Sequence, residues 1–153
     1  NETPVGNLSQ IELIAIADRT KLAFIENNDA SLWTRQYANA LTQSNSKDSD
    51  LKAHLLGYQA ALLRQQGDVE AAAIKLQQAL IQYKKNLSRP GIALTLSELG
   101  ELTMAQGRWQ EAKKYVDRSL AVYQYLDDVQ QIYQLNKILV EIESHIVNLH
   151  SGQ

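Results

Sequence analysis

A glycine occurs twice in the same setting, forty positions apart, and this limits what the chain can fold into more than any other feature. Gln66-Gly67 and Gln106-Gly107 each stand between two amphipathic runs. After the first, Val69, Ala72, Ala73, Leu76, Ala79, Leu80 and Tyr83 recur at the three-and-four spacing of one helical face. Glu70, Lys75, Gln78, Gln82 and Lys84 fall opposite. After the second, Trp109, Ala112, Tyr115, Val116, Ser119, Leu120 and Tyr123 repeat the stripe, and Asp127-Asp128 ends it. Leu51 to Gln65 and Ile92 to Ala105 are the runs upstream. The unit is helix, short turn, helix. Glycine turns the chain, and Asp68 offers an acceptor to the first free helix amides. Pro90-Gly91 is expected to stop the preceding helix by Arg89, because proline disfavours helical geometry in the residue before it.

A weaker copy lies thirty-nine positions before Gly67, on Asn28-Asp29, followed by Trp33, Tyr37 and Ala40-Leu41. Val129 to Leu149 supplies a final helix, with Ile132, Leu135, Leu139, Ile142, Ile146 and Leu149 on its buried side. The expected organisation is one domain over 1–153, with units at 10–45, 51–88 and 92–127 and a capping helix at 129–149. Thr42 to Asp50 is polar and is expected to be the most mobile loop. Seven antiparallel helices follow, each pair leaving an apolar face that only the next pair covers. At roughly 25 cal/mol per Å² of buried apolar surface, these interfaces must carry the stability, since short helices are marginal alone.

Composition agrees with an all-α chain. Hydrophobic residues are 44 % and charged residues 21 %, an ordinary globular mix, and seven glycines, two prolines and one phenylalanine are few for a sheet protein. No cysteine is present, which excludes disulfides, thiolate metal sites and thiol catalysis and leaves the compartment open. The formal charge of -2 supplies no positive field for phosphate, so nucleic acid is not an expected partner. No apolar stretch approaches the length needed to span a bilayer. The opening at Asn1 and the polar end Ser151-Gly152-Gln153 read as the edges of a domain excised from a longer protein.

These residues resemble the tetratricopeptide repeat family, whose pattern places a small residue in the first helix, a Gly-Asp-type turn seven positions later, and alanines five and twelve positions after the glycine. The second unit offers Ala60, Gly67-Asp68, Ala72 and Ala79-Leu80; the third offers Leu99-Gly100, Gly107, Ala112 and Ser119-Leu120. The first offers Phe24, Asn28-Asp29, Tyr37 and Ala40-Leu41, with Lys21 at the small position and Trp33 where alanine is usual. The family's unit is about 34 residues. The longer unit here is similar to those of bacterial signalling and transcription-regulatory proteins. The resemblance implies a right-handed superhelical stack of three hairpins plus a capping helix, whose first helices line a concave face.

By that alignment the concave face carries Ala15, Asp18, Leu22 and Ile25, then His54, Gly57, Ala61 and Arg64, then Leu94, Ser97, Glu101 and Met104, and finally Gln134, Lys137 and Glu141. The mixed, fairly apolar set suits an extended peptide or a helix. A basic clamp for a C-terminal carboxylate, used by some members of the family, is not expected where Glu101 and Glu141 point inward.

Other groupings read as structure. His145 and His150 fall on different faces of one helix, so neither they nor His54 form a metal site, and no cofactor is expected. Arg108, Lys113, Lys114 and Arg118 interleave with Glu111 and Asp117 as a salt-bridged helix face. Trp33, Trp109 and most tyrosines fall in helical stripes as core filler, with Tyr125 and Tyr133 placed for an exposed patch. The expected function is a non-enzymatic scaffold that binds a protein or peptide. The alternative is a self-associating domain that dimerises through its terminal helices, with Ile142 and Ile146 as the residues whose change to polar would separate the copies.

Overall fold

The computed structural model of the chain describes residues 8–152. The reading of the chain's ends at Asn1 and Gln153 lies outside the described residues. Seven helices fill the described part: α1 (Gln10–Ile25), α2 (Ala30–Ser44), α3 (Ser49–Gln65), α4 (Val69–Lys85), α5 (Arg89–Ala105), α6 (Trp109–Tyr125) and α7 (Val129–Ser151), with no strand among the described residues. Each packs against the next in sequence, and α3 also meets α5. The fold is an all-α stack of helical hairpins.

From α3 onward a helix begins every twenty residues, at Ser49, Val69, Arg89, Trp109 and Val129. The cause lies in the turns. Asn27, Gly67, Leu87, Gly107 and Asp127 each take a left-handed backbone, with φ of 51, 83, 53, 73 and 54°. After each, the next amide reaches back five residues to a helix carbonyl, as in Asp68 N–H to Leu63 O at 2.9 Å and Ser88 N–H to Tyr83 O at 3.0 Å. This closure satisfies carbonyls that the helix end leaves open and reverses the chain within three residues. Asp68 and Asp128 then cap the following helices through Ala71 N–H and Gln131 N–H, each at 3.1 Å.

The glycine pattern therefore marks only alternate turns. Leu87 and Asp127 make the same turn between pairs, with a side chain where glycine costs nothing. Pro90 does not act as a helix stop: α4 has already ended at Lys85, and the proline occupies the first turn of α5, where its missing N–H has no partner to lose. The polar linker is also shorter than expected, since α2 runs on to Ser44 and Asp48 caps α3 through Asp50 N–H at 2.8 Å and Leu51 N–H at 3.3 Å.

The first unit sits in a different register from the expected one. Its left-handed residue is Asn27, forty before Gly67, and one further residue is inserted before α2. The small position is thus Thr20 rather than Lys21. Thr20 is fully buried and donates its hydroxyl to Ile16 O at 2.8 Å and Trp33 O at 3.2 Å. Tyr37 fills the centre of this unit, its hydroxyl donating to Leu51 O at 2.6 Å and tying α2 to α3.

The core lies between successive helices. Ala60, Ala72, Leu76, Leu80, Leu96, Leu99 and Leu102 form one cluster, and Ala93, Ala112, Val116, Tyr123, Leu135 and Ile142 another. Small residues set the spacing: a Cβ on Gly100 would stand 2.7 Å from Val116 Cγ2, and one on Gly91 would overlap the Tyr83 ring. On α7, Leu135 and Ile142 are buried and Ile132, Leu139 and Ile146 partly so, but Leu149 is exposed because it lies past the end of the neighbouring helix. Ile142 is a core residue, which removes it as a test of pairing between copies.

Two substitutions check this account by urea unfolding. Leu87→Gly relieves the left-handed cost and should stabilise by about 1 kcal/mol, whereas Ala72→Leu should destabilise by about 1–3 kcal/mol through overpacking. A midpoint lowered by Leu87→Gly would contradict the turn assignment.

Candidate functional site

Because every turn reverses the chain, the odd-numbered helices return to one face of the stack. Three hollows run along that face. The first, of about 420 Å³, lies among Ile14, Ala17, Asp18 and Lys21 of α1, His54 and Tyr58 of α3, and Leu94 of α5. The second, also about 420 Å³, is walled by Gly57, Ala60, Ala61 and Arg64 of α3 and Glu98 and Leu102 of α5, with Leu76 of α4 behind. The third, of about 450 Å³, lies among Arg64, Glu101, Met104, Trp109, Ile138 and Glu141. Together they cross from α1 to α7.

Of the residues read from the sequence, Asp18, His54 and Leu94 share the first hollow, Arg64 borders the second and third, and Glu101, Met104 and Glu141 share the third. Leu22 and Ile25 are exposed and line none of the three, because the register of α1 is one residue earlier than expected. Ser97 is buried and its hydroxyl donates to Leu94 O at 2.8 Å, so it belongs to its own helix. Lys137 lies over the Tyr133 ring at 5.0 Å, outside the hollows.

The groove also holds a row that was missed. Forty-residue steps from Asp18 lead to Tyr58, Glu98 and Ile138, all of which line the groove. Tyr58 and Glu98 each stand one position after the expected Gly57 and Ser97, so no turn residue in the sequence marks them. Glu98 is partly buried in the wall of the second hollow. Burial among Ala60, Leu76 and Leu102 is the main reason its carboxyl is pushed up to about 7; Glu101 adds to the shift and Arg64 opposes it. Arg64 is itself engaged, its guanidinium 3.5 Å from Glu101 across the α3–α5 seam.

Around the first hollow, the His54 ring is tilted over Tyr83 at 5.6 Å. Loss of hydration lowers its proton affinity, against the pull of Asp50 and Asp48, so it is neutral at pH 7. Phe24 stacks on Tyr58 at 5.0 Å and joins α1 to α3. At the other end, Trp109 stacks on His145 with ring centroids 3.8 Å apart.

Elsewhere, two of the four basic residues expected on a salt-bridged α6 face are paired, Arg108 just before the helix with Glu111, and Lys113 with Asp117 at 2.8 Å and Glu143 at 4.0 Å, whereas Lys114 and Arg118 join no ion pair among the described residues. Tyr125 and Tyr133 are exposed as expected, and Arg89 lies over the Tyr125 ring at 4.6 Å. No described helix is long and apolar enough to cross a membrane, and among the described residues no three His, Asp or Glu side chains converge on a metal position.

Glu98 gives the stability a pH dependence with a definite sign. Its carboxyl titrates near 4.5 when unfolded and near 7 when folded, so the folded chain holds the proton more tightly. Stability from this group should fall as pH rises through that window and level off above it. Glu98→Gln should remove the decline and raise stability at pH 8 by about 1 kcal/mol, allowing for the solvent that reaches the carboxyl, as measured by urea midpoints at pH 5 and pH 8. Comparison of the chain with protein-family models and with curated proteins returns no match.

Proposed function

We propose that this chain is a non-enzymatic binding module of the tetratricopeptide-repeat type, whose odd-numbered helices offer a groove to a protein or peptide, as part of a bacterial signalling or regulatory protein. The observation that carries the reading is the alignment of three hollows along one face, each bounded by two or more odd-numbered helices. An extended ligand could lay successive side chains into them, and the apolar walls with scattered charges would supply affinity and register. The forty-residue recurrence of Ala60 with Gly100, and of Ala72 with Ala112, supports the repeat type.

A second reading has its own observation. Tyr133, Val140 and Val147 are exposed at seven-residue spacing on α7, a stripe that a second copy could cover. Sedimentation across a concentration series separates the two. Val140→Lys should split any dimer formed through this stripe, and a monomer at all concentrations removes the pairing.

The groove is tested by selecting peptides from a displayed random library on the immobilised chain and mapping a selected peptide by amide chemical shifts. Shifts should gather on Gly57, Ala61 and Glu98, and Ala61→Trp should weaken binding at least about tenfold by filling the second hollow. Shifts confined to α2, α4 and α6, or affinity unchanged in Ala61→Trp, would overturn the proposal.

A further inference from the structure

The second hollow holds an acid that the rest of the protein does not use. Among the described residues Glu98 joins no ion pair, although Arg64 and Glu101 close one beside it at 3.5 Å. A carboxylate set into an apolar wall without a partner is costly, and the cost is recovered when a cation arrives with a stem that the wall can cover. The wall has that character: Ala60, Leu76 and Leu102 are apolar and buried, and the space over α3 is open, since a Cβ on Gly57 would meet nothing within 4 Å.

The charges along the groove point the same way. Asp18, Glu98, Glu101 and Glu141 line it against Lys21 and Arg64, and the Arg64 charge is already matched by Glu101. A basic partner is complementary to this face and an acidic one is repelled. The flanking hollows lie on either side of Glu98, which favours an extended chain over a small isolated amine.

We propose that the hollow between α3 and α5 receives a lysine or arginine side chain of a peptide lying along the odd-numbered helices, with Glu98 meeting its cation. This rests on the groove being a peptide-binding surface and adds the chemistry of its central position. The groups facing Glu98 are Glu101 on its own helix and Arg64 on α3, with Tyr83 of α4 and Tyr123 of α6 close enough to feel its charge. The tyrosines stay neutral throughout the neutral range, so Glu98 is the group whose ionisation changes there.

The test uses four sets of immobilised random decapeptides with lysine, arginine, norleucine or glutamate fixed at the centre. The wild-type chain should be retained by the lysine and arginine sets roughly tenfold better than by norleucine, and least by glutamate. That preference should grow from pH 6 to pH 8 as Glu98 ionises. Glu98→Gln should bind the lysine and norleucine sets alike, and Gly57→Leu, whose Cβ meets nothing within 4 Å and whose side chain adds bulk at the lining of the hollow, should also lose the preference. If norleucine equals lysine on the wild-type chain, the basic-residue assignment falls while the groove stands. Retention by none of the sets defeats both. A lysine preference that survives Glu98→Gln, or release of the lysine set by millimolar n-butylamine, overturns the proposal by placing the cation elsewhere or by making the ligand a small amine.

Discussion

One backbone conformation, repeated every twenty residues from Gly67 to Asp127 and present once more at Asn27, organises this molecule. A residue in left-handed geometry closes the helix before it, the next amide returning to a carbonyl five residues back, and the chain then starts a new helix two residues later, or three after Asn27. Repeated at Asn27, Gly67, Leu87, Gly107 and Asp127, with a separate polar linker between α2 and α3, this turn yields six helices of 15 to 17 residues and a longer α7 of 23, in alternating directions. Matched lengths let α3 to α6 bury their stripes against one another, whereas the longer α7 runs past its neighbour and leaves Leu149 exposed. The alternation also brings α1, α3, α5 and α7 to one face, which is the condition for a groove. Loss of a turn would merge two helices and move every later element to the wrong side.

Packing between the helices depends on small residues as much as on large ones. Ala72 and Ala112 are completely buried at matching positions of α4 and α6, and Gly100 lets α5 approach Val116 more closely than any side chain would allow. Polar groups in these seams are satisfied locally: the Ser119 hydroxyl donates to Ala93 O at 2.7 Å and Thr103 to Leu99 O at 2.6 Å. Alanine on α3 has a second consequence on the groove side, where Ala60 and Ala61 leave the hollow that a larger residue would fill. The residues that allow close approach on one side therefore create the recess on the other. Glu98 stands in that recess, held from water by the same leucines that stabilise the seam.

The fold was legible in the sequence because helix stripes and glycine turns are local signals. Gly67 and Gly107 carry their conformation in their identity, and Val69 to Tyr83 carries its buried face in its spacing. Leu87 was not legible: nothing in a leucine announces a left-handed backbone, and its exposure there follows from the demands of the turn. Asn27 was missed for a related reason, since two asparagines and an aspartate follow one another and the inserted residue before α2 breaks the count. That single slip displaced the whole groove register of α1, drawing attention to Leu22 and Ile25 instead of Ile14, Ala17 and Lys21. Tyr58, Glu98 and Ile138 lie one position past Gly57, Ser97 and Lys137 on helices whose register was read correctly, so their place in the groove depends on how far each helix is rotated. Burial of Glu98 could not be read from sequence at all, because it arises from where α3 and α4 bring Ala60 and Leu76.

The claim on which the groove depends is that the turns after α4 and α6 match the turns within the pairs. Scalar couplings and Cα chemical shifts of the intact chain in solution report the sign of φ at residues 27, 67, 87, 107 and 127 directly. The account predicts left-handed values at all five, including Leu87 and Asp127. Right-handed helical values at 87 or 127 would carry a helix through the reversal, take α5 or α7 off the common face, and contradict it.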